Sequence, residues 1–208
     1  MELNPPIIIE KFKVKTNFNV KVVRDDYLVG GTKQRSLSVF LDPNKAEYIY
    51  AGPAQGYAQV ALAYLGSLNN KKTTVFLRSG KETKLTKKAR SFGAKIIYVK
   101  PPNKLSDIQL NAQKYASKRK DRLLLPFGLG STDFIEDLSI NIKQAWGRKR
   151  KPKRMWIVAG SGTILKSLSL IFPQCMFLVV QVGKRIWPDQ LEGFKSKLYT
   201  AEEKFWED

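Results

Sequence analysis

Three short stretches carry residue types that could do chemistry. The first is 24-RDDYLVGGTKQRSL-37, in which Gly30 and Gly31 stand just ahead of Lys33. Glycine admits close or strained backbone. A lysine screened from water by surrounding protein gives up its proton more readily and can attack a carbonyl. By spacing alone, a surface lysine is the commoner outcome. The second stretch is 158-VAGSGTILKSL-168, where an apolar run enters Gly160, Ser161, Gly162 and Thr163 and then a helix-like pattern. Its glycines let a ligand approach the backbone, and free N–H groups at a helix start suit a phosphate. It lacks the lysine of a P-loop and the full dinucleotide fingerprint, so a plain tight turn is an equal alternative. The third is 50-YAGPAQGYAQVALAYLG-66, in which Gly52, Pro53, Ala54, Gln55 and Gly56 lead from a strand-like run into a helix-like one. Pro53 falls where a missing N–H costs little. Such a turn could hold a carboxylate; an ordinary connection is the competing reading.

Short apolar runs rich in β-branched and aromatic residues occur at 20–24, 47–51, 73–78, 94–99, 122–127, 155–159 and 176–182, and read as strands. Helix patterns fall between them at 55–66, 81–92, 105–118, 132–146 and 163–171. Gly66 is placed as a C-cap for the first of these. Strand and helix alternate, and the strands are almost continuously apolar. This predicts an α/β protein of three layers, with open, twisted, mostly parallel sheets covered on both faces. In such sheets ligands bind beyond the carboxyl ends of the strands, where the second and third stretches lie. The run 147-GRKRKPKR-154 reads as an exposed basic connector, with a localisation or nucleic-acid patch as the alternative.

Composition narrows the chemistry. The 208 residues include no histidine and one cysteine, Cys175. That excludes a disulfide framework, most zinc sites and imidazole acid–base catalysis. No metal site is expected. Any proton carrier must be Lys, Asp, Glu, Tyr or Cys. No apolar run reaches the length of a membrane span, and the first residues do not read as a signal peptide, so a cytoplasmic location is expected. The net charge is +19, concentrated in residues 51–150, which hold 20 basic and 6 acidic residues. Such an excess steers anionic ligands or nucleic acid; a solvated basic surface is the plainer reading.

Taken together, the three stretches resemble the fold type II pyridoxal-phosphate enzymes, the tryptophan synthase β-like superfamily. Within it they are most similar to the aminocyclopropane-carboxylate deaminase and D-cysteine desulfhydrase group. There, an Arg-Asp-Asp or Arg-Glu-Asp run precedes Gly-Gly-Asn-Lys-x-Arg-Lys-Leu; here 24-RDD-26 precedes 30-GGTKQRSL-37. The family's phosphate loop, Gly-Ser-Gly-Gly-Thr, falls on 159-AGSGT-163, and its Pro-x-Gly stretch resembles 125-LPFGLGSTDFIEDLSINI-142. The resemblance implies pyridoxal 5'-phosphate held as an aldimine on Lys33, with its phosphate on Gly160, Ser161, Gly162 and Thr163. It implies that Gly52–Gly56 face the cofactor ring and the carboxylate of a small amino-acid or amine substrate, in a deaminase, lyase or desulfhydrase reaction. It also implies a homo-oligomer, commonly a dimer. The expected organisation is a large lobe from 1–46 with 147–208, shortened at the C-terminus through 199-YTAEEKFWED-208, and an inserted small lobe, 47–146. The family's ring-side Asn lands on Pro53, which cannot donate the same hydrogen bond. Two alternatives stand beside the enzyme: a non-catalytic member of the fold that binds a phosphate-bearing ligand or a partner, and a basic nucleic-acid-associated protein.

Overall fold

Strand β3 (Glu47–Ala51) is buried at every position, which requires cover on both of its faces. The computed structural model, which describes residues 3–14, 18–100, 104–182 and 191–200, supplies it. β3 lies parallel between β4 (Lys72–Arg78) and β6 (Arg122–Leu124), and β5 (Lys95–Val99) completes a parallel sheet in the order β5-β4-β3-β6. Successive side chains alternate between faces. Tyr48, Tyr50, Val75 and Leu77 therefore join the main core with helix α1 (Ala58–Leu68), while Ile49, Ala51 and Phe76 pack with Ile108 and Ala112 of helix α3 (Leu105–Ala116). Helix α2 (Lys84–Ser91) is started by Thr83, whose side chain accepts from the Thr86 N–H.

The expected C-cap at Gly66 is corrected. Helix α1 continues to Leu68, and Gly66 lies inside its last turn. A Cβ there would meet Thr73 Oγ1 at 2.3 Å and the Lys71 carbonyl at 2.8 Å, so the glycine serves close packing of helix on strand.

Beyond β6, helix α4 (Thr132–Trp146) is capped by Ser131 and ends at Gly147, whose φ is +61°. It packs against helix α5 (Thr163–Ile171) and the 3-10 segment Gly31–Phe40. The connector 148–151 is exposed, as expected, and leads to a second parallel sheet of β7 (Arg154–Ala159), β8 (Met176–Gln181) and β9 (Ser196–Thr200). Strands β1 (Ile9–Lys13) and β2 (Asn19–Val23) form an antiparallel ribbon. β1 and β9 were not among the strands read from the sequence. Residues 201–208, most of the final stretch of the expected shortened lobe, lie outside the described residues. No described helix is long and apolar enough to cross a membrane.

Candidate functional site

The Lys33 segment is held from several sides. Asp25 accepts a bidentate pair from Arg35, Nε to Oδ2 at 3.2 Å and Nη2 to Oδ1 at 2.6 Å. Arg35 is only 2% exposed and also donates to Asn4 Oδ1 and the Pro5 carbonyl. Breaking such a buried, hydrogen-bonded pair from one side costs about 3–5 kcal/mol. The pair closes the loop between residues 25 and 35, and Lys33 sits on that loop. Arg24 binds Asp26 and Glu10 and stacks on the Tyr27 ring, tying the same loop to β1. The two halves of the 24–37 motif thus act first as a brace.

Glycine has a structural reason at both motif positions. A Cβ on Gly30 would touch Ala61 of α1 at 3.0 Å, and Gly31 has φ +63°. Gly31 faces the Tyr57 ring, placing the start of the Lys33 segment beside the 52–56 turn and the N-terminus of α1. Asn141 of α4 donates to Ser36 Oγ at 3.0 Å and fixes the far side. Lys33 itself makes no hydrogen bond or ion pair with another described residue. Burial without a compensating partner pushes its amine down to about 8.

The 52–56 turn is fixed through one carbonyl. The Ala54 oxygen accepts from Gln59 Nε2 at 2.6 Å and from Thr83 Oγ1 at 2.8 Å, and Gly56 N–H donates to the Pro53 carbonyl at 3.0 Å. Gly52 is buried against the Tyr50 ring, where a Cβ would lie 2.7 Å from the ring. Pro53 is exposed, while Ala54, Gln55 and Gly56 are half-buried. Gln59 is fully buried, and its Oε1 has no partner among the described residues.

The glycine turn before α5 is joined to the end of β3 through Gly128. Tyr50 is buried, its hydroxyl accepts from the Gly128 N–H at 3.4 Å, and burial pushes the phenol up to about 12. Gly128 has φ +64°, and a Cβ there would overlap Ser161 at 2.2 Å. Its carbonyl accepts from Thr163 Oγ1 at 3.0 Å, and Ser161 Oγ lies 3.0 Å from Thr163 Oγ1. The Thr163 proton is committed to Gly128, so Ser161 is the donor in its contact with Thr163. Both hydroxyl protons are consumed inside the turn. What faces outward is backbone: Gly162 has φ +79°, caps α5 without a side-chain bond, and would carry a Cβ into open space. An anion here would be held by free N–H groups at the helix start.

The structure therefore brings Gly52, Ser161 and Thr163 together through Tyr50 and Gly128, and sets Gly31 against Tyr57. Tyr50 gave no sequence signal; an interior-facing strand tyrosine reads as core. Gln59 and Thr83 likewise look like ordinary helix and loop residues. Gly128 was visible only as part of the Pro-x-Gly stretch. A cavity of about 280 Å³ opens at the same strand ends on the α3 side, lined by Ala51, Gln109, Gln113, Leu125 and neighbours; none of the candidate residues lines it.

No protein-family model and no curated protein sequence matches the chain. Solved structures do. An ACC deaminase homologue superposes with a TM-score of 0.78 at 17% identity, over 96% of this chain and 72% of that one. A hydrogen sulfide-producing enzyme from Fusobacterium nucleatum gives 0.68 at 14% identity, over 94% and 69%. An O-acetylserine dependent cystathionine beta-synthase from Helicobacter pylori gives 0.65 at 17%, over 94% and 71%. At these identities the likeness speaks for architecture: the chain has the α/β, tryptophan synthase β-like fold of the fold type II pyridoxal-phosphate enzymes, as its motifs led us to expect.

Proposed function

We propose that the chain is a pyridoxal-phosphate-dependent enzyme acting on a small amino acid or amine, of the deaminase, lyase or desulfhydrase type. The observation that carries this reading is Lys33. Lys33 is half-buried, and its amine is unpartnered among the described residues and pushed by desolvation down to about 8, on a loop braced by the Asp25–Arg35 pair. At neutral pH about a tenth of such an amine is uncharged, against well under a thousandth of an ordinary lysine. That makes Lys33 Nζ fit to capture an aldehyde and to carry a proton at the substrate α-carbon.

The other residues fit the same group. The free N–H groups of Gly160–Thr163 suit its phosphate, with Ser161 and Thr163 keeping the turn in shape. Gly52–Gly56, steadied through the Ala54 carbonyl, face the ring and the substrate carboxylate. When bound, the cofactor supplies the electron sink for chemistry at the α-carbon; the chain supplies position and charge. In this reading 1–46 with 147–208 form a large lobe, 47–146 an inserted small one, and the chain works as a homo-oligomer.

The test is the absorbance spectrum of the purified chain with added pyridoxal 5'-phosphate. A visible band that disappears in Lys33→Ala is expected. Absence of the band, or a band unchanged in the variant, overturns the reading. A band with no turnover across a panel of amino acids favours the non-catalytic alternative, which Pro53 supports by standing where the family's ring-side Asn would donate a hydrogen bond that proline cannot.

A further inference from the structure

The surplus positive charge has a definite place in the fold. In a parallel sheet every loop that enters a strand lies at one edge. Here the loops entering β3, β4, β5 and β6, with the first residue or two of each strand, carry eight basic side chains against three carboxylates. Lys72 and Lys95 are the first residues of β4 and β5, and Lys118, Arg119 and Lys120 lead into β6.

Two of the three carboxylates are already neutralised: Asp121 by Arg119 at 2.6 Å and Glu47 by Arg122 at 2.8 Å. Lys45 and Lys71 spend their amines on loop carbonyls. Lys72, Lys95, Lys118 and Lys120 are exposed and form no ion pair among the described residues. Helices α1, α2 and α3 end at this edge, each worth about half a negative charge, which offsets only part of the surplus. The edge is opposite the one that holds the candidate site.

We propose that this edge is a docking surface for double-stranded nucleic acid, read through its phosphates. Strands stand about 4.8 Å apart, so the cations form a row about 15 Å wide. Along either strand of a duplex the phosphates follow one another about every 3.4 Å, close to the spacing of the four unpaired lysines across such a row. The entering loops offer no exposed aromatic ring for base stacking: Phe92 packs on Tyr64, and Tyr115 lies under Arg122. A phosphate-backbone contact without base preference follows.

The experiment is fluorescence anisotropy of a short labelled DNA duplex over a salt series, with the full chain. Binding that weakens steeply with salt is expected. Lys72→Gln/Lys95→Gln/Lys120→Gln should lower affinity by about tenfold or more and reduce the salt slope by about 3. Lys149→Gln/Arg150→Gln/Lys151→Gln in the connector should leave both nearly unchanged. The proposal is overturned by an absence of binding or by loss only in the connector variant. It is equally overturned if saturating pyridoxal 5'-phosphate displaces the duplex, or if polyglutamate or anionic vesicles bind as tightly at the same salt. These outcomes are independent of the Lys33 spectrum.

Discussion

Both sheets are parallel and both are built from apolar strands, yet they sit in different surroundings. In the four-stranded sheet, β3 is buried throughout and β4 at all but its two ends, between α1 on one face and α3 on the other. In the three-stranded sheet, Phe177 and Val179 face the core, while Trp156 is 61% and Val158 63% exposed. Leu178, Val180 and Tyr199 share that open face by register, and Trp156 packs against Tyr199 in a tilted arrangement with ring centroids 5.1 Å apart. An apolar strand thus has two potential inner faces, and which of them is closed depends on the layers around it. Among the described residues, no helix covers the outer face of β7.

Substitutions sharpen this contrast. The largest effect belongs to the closed sheet: Phe76→Ala should destabilise by about 3–5 kcal/mol in chemical denaturation. A loss below about 1 kcal/mol would mean that the α3 face is looser than it looks. Next comes the joint between the regions. Gly128→Ala adds a side chain at positive φ and drives it into Ser161, for a cost of about 2–4 kcal/mol. It should weaken pyridoxal 5'-phosphate binding in a titration more than Phe76→Ala does; equal effects would separate the joint from the turn.

Third is a pH test of Lys33. Its amine is pushed down to about 8 in the folded chain from an ordinary value near 10.5. Between those values the unfolded chain binds the extra proton, so stability should rise with pH across that window. Below about 8 the partly desolvated charge opposes folding. Lys33→Met should remove this rise relative to the parent chain, and a parallel pair of profiles from pH 7 to pH 11 (a window of about 8 to 10.5 with margins) would refute it. The smallest effect is on the open face: Trp156→Lys should change stability by less than about 0.5 kcal/mol. A loss comparable to Phe76→Ala would show that the open face is covered in solution.

Much of this architecture could be read from the chain. Helices 132–146 and 163–171 and strand 47–51 fall where periodicity places them, because long amphipathic repeats and unbroken apolar runs leave few alternatives. The ribbon strand Ile9–Lys13 is five residues long, and the adjacent charges Glu10 and Lys11 break the two-residue alternation that would mark it as a strand. Strand Ser196–Thr200 is short, polar and at a sheet edge. Gly66 misled because glycine near a helix end suggests a cap, whereas the reason here is contact with Thr73, a residue on the next strand.

By itself the sequence determined the alternation of strand and helix, the glycines that flank Lys33 and precede α5, and the surplus of positive charge. These are local properties of residue type and spacing. Only the tertiary structure decided that Asp25 and Arg35 brace the lysine loop, that Tyr50 and Gly128 join β3 to the glycine turn, and that the lysines gather at the entering edge of the sheet. Each of these depends on residues distant in sequence meeting in space, where burial, and not residue type, decides what a lysine, a tyrosine or an apolar strand face can do.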